Sequence, residues 1–157
     1  MVRIDNETIL KVPLENLFDY INKPENFSEI WTSLINVSNI KSLPNGGYSS
    51  QWIYKMAGRH FKGVGKCTRI SPNRLIVIES KGGIKSTITW TFRSDGNITK
   101  VTLTIEYKIP IPLLGKLAEA IIVKMNEQEM NMIMDNLKAR FMNTKPRNTL
   151  SKIPALS

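Results

Sequence analysis

The chain is poor in the residues that most chemistry needs. Its 157 residues hold one cysteine, Cys67, and one histidine, His60. A lone cysteine excludes an intrachain disulfide and suits a reducing compartment, so the chain reads as cytoplasmic. Cys67 and His60 together make a poor metal set, and no thiolate zinc site is available to them. No metal or cofactor is therefore expected. A Ser/His/Asp or Cys/His arrangement would have to use His60, which sits beside the turn signal Ala57-Gly58-Arg59 and reads as a surface residue. The stretch "GGIKST" is too short for a phosphate-cradling GxxxxGK[ST] loop, and its glycines read as a hairpin turn. No apolar run approaches the roughly 20 residues of a membrane span. The opening "MVRIDNETILKV" lacks the apolar core of a signal peptide.

Acid is scarce as well. Against 22 basic residues stand 13 acidic ones, a formal net charge of +9. That excess suits an anionic partner or none in particular. Basic residues gather at Lys55, Arg59, Lys62, Lys66 and Arg69, and again at Lys138, Arg140, Lys145, Arg147 and Lys152. Such runs are either solvated faces or a docking surface for transient contact with an acidic membrane leaflet. Nucleic acid ranks below both, because the aromatic-plus-basic pattern of an RNA-reading strand is missing.

What is present is a sequence of short periodic elements. "VRIDNETILKV" alternates, with Val2, Ile4, Thr8, Leu10 and Val12 on one side, and predicts a strand. Pro13 suits a first helical turn, and Leu14, Leu17, Phe18 and Ile21 follow helical spacing. Pro24 restarts the chain into a second short helix with Phe27, Ile30 and Trp31 on one face. From Ile35 to Ile109, six strands are separated by tight-turn signals such as "PNGG", "AGR", "SPNR" and "DGN", which makes an antiparallel meander. Ile84, Ile88, Trp90 and Phe92 share one face of their strand. Val101, Leu103, Ile105, Tyr107 and Ile109 share one face of the last, so the sheet has an apolar side and a wet side. "LIVIE" is apolar on both faces, and Trp52 and Tyr54 alternate with Ile53, so the inner side of those two strands stays open. A long helix is expected from about Leu113 to Met142. It must cover the apolar face of a curled sheet, since nothing else is left to do so. Residues 1–142 form one domain, and 143–157 read as a flexible basic tail.

The segments "NKPENFSEIWTSLINVSNI", "RISPNRLIVIESKGGIKSTITWTF" and "KVTLTIEYKIPIPLLGKLAEAI" followed by "NLKARF" resemble, in order and spacing, the SRPBCC superfamily. These are START-like domains, polyketide cyclases and birch-pollen-allergen-like proteins. The likeness is strongest to bacterial and archaeal polyketide cyclase/dehydrase and lipid transport proteins. It implies an α+β helix-grip fold: a seven-stranded antiparallel sheet curved around the C-terminal helix, with two short helices between strands 1 and 2. It also implies an internal cavity for an apolar small molecule. Function is left open, because carriers, cyclases, dehydratases and chaperone activators share the fold.

The long helix is read against that expectation. Between Lys124 and Phe141 it holds four of the chain's seven methionines, Met125, Met130, Met132 and Met134. At about 100° per residue one apolar stripe is Leu114, Ala118, Ile121, Met125, Met132 and Ala139. A second is Val123, Met130, Leu137 and Phe141, with Met134 at its margin. Between them runs a seam of Glu119, Ile122, Asn126, Glu129, Ile133, Asn136 and Arg140. Two sealing stripes flanking a cavity-facing seam is the expectation. Asn126 and Glu129 would orient a ligand's polar end, and methionines would repack around differing ligands. The expected cavity residues are Trp31, Trp52, Tyr54, Ile88, Trp90, Phe92, Leu103, Tyr107, Met125, Asn126, Glu129, Met130 and Ile133. Each aromatic among them also reads as plain core. The first expectation is a carrier for a lipid, polyisoprenoid or polyketide-like molecule. The alternative is a cyclase or dehydratase acting on a polyketide-like substrate, with Glu129, Asn126 or Tyr107 as the group that activates it, Glu129 as a base. The third is a chaperone-activator-type module with a filled interior and an exposed apolar patch.

Overall fold

Strand β1 (Val2–Leu10) buries Ile4 and Leu10 and turns Arg3, Asp5 and Glu7 to solvent, as its alternation requires. The same rule sorts the other strands of this computed structural model, which describes residues 1–112 and 115–142. After β1 come α1 (Leu14–Ile21), a single 3₁₀ turn (Pro24–Asn26) and α2 (Phe27–Ile30). Then follow β2 (Leu34–Ser42), β3 (Tyr48–Met56), β4 (Arg59–Ser71), β5 (Leu75–Gly82), β6 (Ser86–Asp95) and β7 (Ile98–Tyr107), and finally α3 (Lys116–Met142).

The sheet has seven strands in the order β1-β7-β6-β5-β4-β3-β2. Strands β2 to β7 are the meander that the turn signals predict, and β1 returns to close against β7, with Val2 opposite Tyr107 and Leu10 opposite Thr99. The α1–α2 segment therefore carries the chain from one sheet edge to the other. Register shifts in β2, around Asn39 with its positive φ of 52°, and in β4 after Cys67 interrupt the ladder. Bulges of this kind increase local twist and bend a sheet. The result is a curved sheet with α3 against its concave side, the helix-grip architecture.

Strand β5, undecided by its sequence, turns Ile76, Ile78 and Ser80 inward. Cys67 is buried, and a Cβ on Gly47 would lie 2.5 Å from its sulfur. Leu113, Leu114 and the tail 143–157 lie outside the described residues.

The expected two-stripe sealing of α3 is corrected by the packing. Ile122, Met130, Ile133, Met134 and Leu137 are buried, so the seam and the second stripe form one inward arc. Ile121, Met125 and Met132 of the first stripe are 54%, 49% and 48% exposed, with Leu117 beside them at 77%. A straight helix touches a curved sheet along one arc, and hydrophobicity alone does not say which of two stripes that is.

The C-terminal end of α3 is fastened to the short helices. Asn136 Nδ2 donates to the Ile30 carbonyl at 3.1 Å, satisfying a group left open by the end of α2. Arg140 meets Glu29 at 3.3 Å and lies over the Tyr20 ring, while Tyr20 donates to Glu29 at 2.8 Å.

Candidate functional site

Between the concave sheet, α2 and α3 lies a cavity of about 120 Å³. A single water needs only about 10–15 Å³ on this measure, so the space is a chamber rather than a packing flaw. Period-two alternation aims Tyr48, Ser50, Trp52, Tyr54 and Met56 of β3 into it. Ile88 of β6, Ile105 and Tyr107 of β7, and Asn126, Glu129, Met130 and Ile133 of α3 complete the wall, with Trp31 at the end of α2.

Of the residues singled out from the sequence, Trp31, Trp52, Tyr54, Ile88, Tyr107, Asn126, Glu129, Met130 and Ile133 line the cavity. Four do not. Met125 faces solvent on the far side of α3. Trp90, Phe92 and Leu103 share the inner face but sit in the solid core beside the chamber. Trp90 stacks on Phe27, with centroids 6.5 Å apart, and Phe92 meets Phe18 edge-on at 5.3 Å. Alternation tells which face a side chain takes, not how far along the strand the core stays filled. The hydroxyls of Ser50, Ser80 and Ser86 also line the chamber and were not anticipated. The alternation within β3 would have revealed Ser50 once the side taken by Trp52 was known.

Glu129 is the hub of the polar wall. Its carboxylate accepts hydrogen bonds from Trp31 Nε1 at 3.0 Å, from the Ser33 hydroxyl and from the Tyr54 hydroxyl. Trp31 and Tyr54 also meet edge to face at 5.9 Å. Burial pushes the Tyr54 phenol far above its ordinary pKa, and the Glu129 charge beside it adds to the rise. Asn126 Nδ2 donates to the Tyr107 hydroxyl. Burial raises the Tyr107 pKa too, with the Asn126 hydrogen bond opposing it.

Trp52 lies flat across β4 because the strand has no side chain beneath it. A Cβ on Gly63 would stand 2.2 Å from Trp52 Cζ2 and 2.4 Å from the Lys81 carbonyl oxygen. Trp52 Nε1 is enclosed, and no hydrogen-bond partner reaches it among the described residues. Among the described residues Glu129 is the one carboxylate in the lining, and no Lys, Arg or His belongs to it. Among the described residues no three His, Cys, Asp or Glu side chains gather where they would hold a metal ion. No helix among them is long and apolar enough to cross a membrane.

A curved seven-stranded sheet gripping a long helix over an apolar chamber defines a START-like domain of the SRPBCC superfamily. Within it, the chain belongs to the family described as polyketide cyclase / dehydrase and lipid transport, which matches residues 1–142. That membership points to an apolar small molecule as the partner. No curated protein matches the chain. Solved structures do. A Thermus thermophilus protein is 19% identical with a TM-score of 0.68, covering 88% of this chain and 96% of its own. The Zhui aromatase/cyclase of a Streptomyces species is 12% identical with a TM-score of 0.67, covering 88% and 94%. A START superfamily protein from Mycobacterium smegmatis is 12% identical with a TM-score of 0.67, covering 88% and 95%. At these identities the likeness is one of fold.

Proposed function

We propose that the protein is a binding or carrier protein for an apolar small molecule held between the sheet and α3. The observation that carries this reading is the state of Glu129. A general base needs a free lone pair facing the substrate. A carboxylate offers about four acceptor sites, and Trp31, Ser33 and Tyr54 take three of those on Glu129, so about one is left to act on a substrate and the bound donors lower the basicity of the group. The carboxylate thus works as a brace joining α2, β3 and α3. The remaining wall is largely aliphatic and aromatic, as ligand chambers commonly are.

A cyclase or dehydratase acting on a polyketide-like substrate would use the same chamber, and the partnered state of Glu129 counts against it. A chaperone-activator-type module has no need of a chamber. Loading from an acidic membrane surface fits the exposed Lys55, Arg59, Lys62, Lys66 and Arg69 on the β3–β4 hairpin.

Native mass spectrometry of the purified protein, followed by solvent extraction, tests the carrier reading. A co-purifying apolar molecule, released on unfolding, is the expected result. Turnover of a polyketide-like substrate that Glu129→Gln abolishes while binding persists would overturn it in favour of the enzyme.

A further inference from the structure

The Ser50, Ser80 and Ser86 hydroxyls and the Asn126 amide of the lining can accept as well as donate, but two groups can only donate to a ligand. The Glu129 carboxylate is already engaged. Trp52 Nε1–H is buried with no acceptor among the described residues, and an enclosed donor left unpaired costs about 1–3 kcal/mol. The Tyr107 oxygen accepts from Asn126, which leaves its own O–H to be donated to another acceptor. Its raised pKa keeps that proton in place at neutral pH. Trp90 Nε1 is also unpaired, but its ring is sealed against Phe27 outside the chamber and offers nothing to a ligand.

Charge narrows the choice further. Among the described residues the lining holds the Glu129 carboxylate and no cation. A carboxylate or phosphate headgroup brought there would lose its water and meet a like charge with no counter-ion, a heavy penalty in a poorly solvated space. A saturated hydrocarbon would leave Trp52 unpaired.

We infer that the chamber selects a neutral apolar molecule whose carbonyl oxygens are received by Trp52 Nε1–H and Tyr107 O–H, and that it rejects anionic lipids. This rests on the carrier reading and names its ligand chemistry. Gly63 is part of the device, because any side chain there would displace the indole that presents the donor.

Three probes of one shape test it: acetonaphthone (a ketone), ethylnaphthalene (a hydrocarbon) and naphthoate (a carboxylate), each titrated calorimetrically into the full chain at neutral pH. The ketone should bind about 5- to 10-fold more tightly than the hydrocarbon, the worth of one buried hydrogen bond, and naphthoate more weakly than either. Trp52→Phe and Tyr107→Phe, checked for native circular dichroism, should each lower ketone affinity and leave the hydrocarbon's unchanged. Naphthoate binding as tightly as the ketone, or a ketone preference that survives both substitutions, overturns the inference and leaves the carrier reading standing. Binding of none of the three overturns both.

Discussion

Tyr54 on β3 donates its phenolic hydrogen to Glu129 on α3, so strand and helix are tied across the chamber by a hydrogen bond to a charge. Their separation in sequence is 75 residues. Bonds of this type are worth roughly 1.5–3 kcal/mol, more than neutral pairs.

Glu129→Leu should therefore destabilise the fold by about 2–4 kcal/mol, because three donors lose their acceptor together. Glu129→Gln, which keeps an acceptor oxygen, should cost less than half of that. Urea denaturation reads both. An unchanged midpoint for the leucine variant would show that the hub does not brace the fold.

Alkaline pH should loosen the protein from a defined side. Burial raises the pKa of Tyr20, Tyr54 and Tyr107 above the ordinary tyrosine value of about 10. A pKa raised in the folded state means that the folded chain keeps protons which the unfolded chain has already lost. The stability these tyrosines contribute is thus complete below pH 10 and falls as pH rises through the folded pKa values. Tyr54→Phe should flatten that fall. Phenolate absorbance, followed beside chemical denaturation, should show these three ionising late; ionisation of Tyr54 near pH 10 in the folded protein would contradict the burial.

The two faces of α3 should respond in opposite ways to similar changes. Met130 is 2% exposed, and Met130→Ala should cost about 2–5 kcal/mol. Met125 is 49% exposed, and Met125→Ser should stay within about 0.5 kcal/mol of the parent. Equal losses in thermal unfolding would mean that the outer stripe is covered in solution.

Gly63→Ala should be damaging out of proportion to one methyl group. The new carbon collides with the Trp52 ring on one side and the Lys81 carbonyl on the other, and overpacking of this kind costs about 1–3 kcal/mol. Tryptophan fluorescence should shift with it, since the indole must leave its bed. Retained stability with unchanged emission would show that β4 gives way instead.

Much of the architecture was legible along the chain. The alternation of Val101, Leu103, Ile105 and Tyr107 marks β7, and the "PNGG", "AGR" and "DGN" turns delimit the β2–β3, β3–β4 and β6–β7 hairpins. Pro13 precedes α1, and Pro24 restarts the chain toward α2. These signals are local: a turn residue or a period of two acts within a few positions of itself. The pairing of Asn126 with Glu129 on one inward seam was legible for the same reason, because helical spacing places them on neighbouring positions of one face.

What the local pattern does not contain is depth, and which of two apolar stripes meets the sheet. Phe92 and Tyr107 both point inward, yet one fills the core against Phe18 and the other borders the chamber. Met125 and Met130 are chemically identical, yet one faces water. The hub on Glu129 draws on α2, the following turn and β3, segments that meet only when the sheet closes around the helix. By itself the sequence determined the elements, their order and the two-sided character of the sheet, since these follow from short-range periodicity and turn chemistry. Only the tertiary structure decided where the chamber lies and which donors face it unpaired, because those depend on how a bulged sheet bends and on contacts between residues distant in the chain.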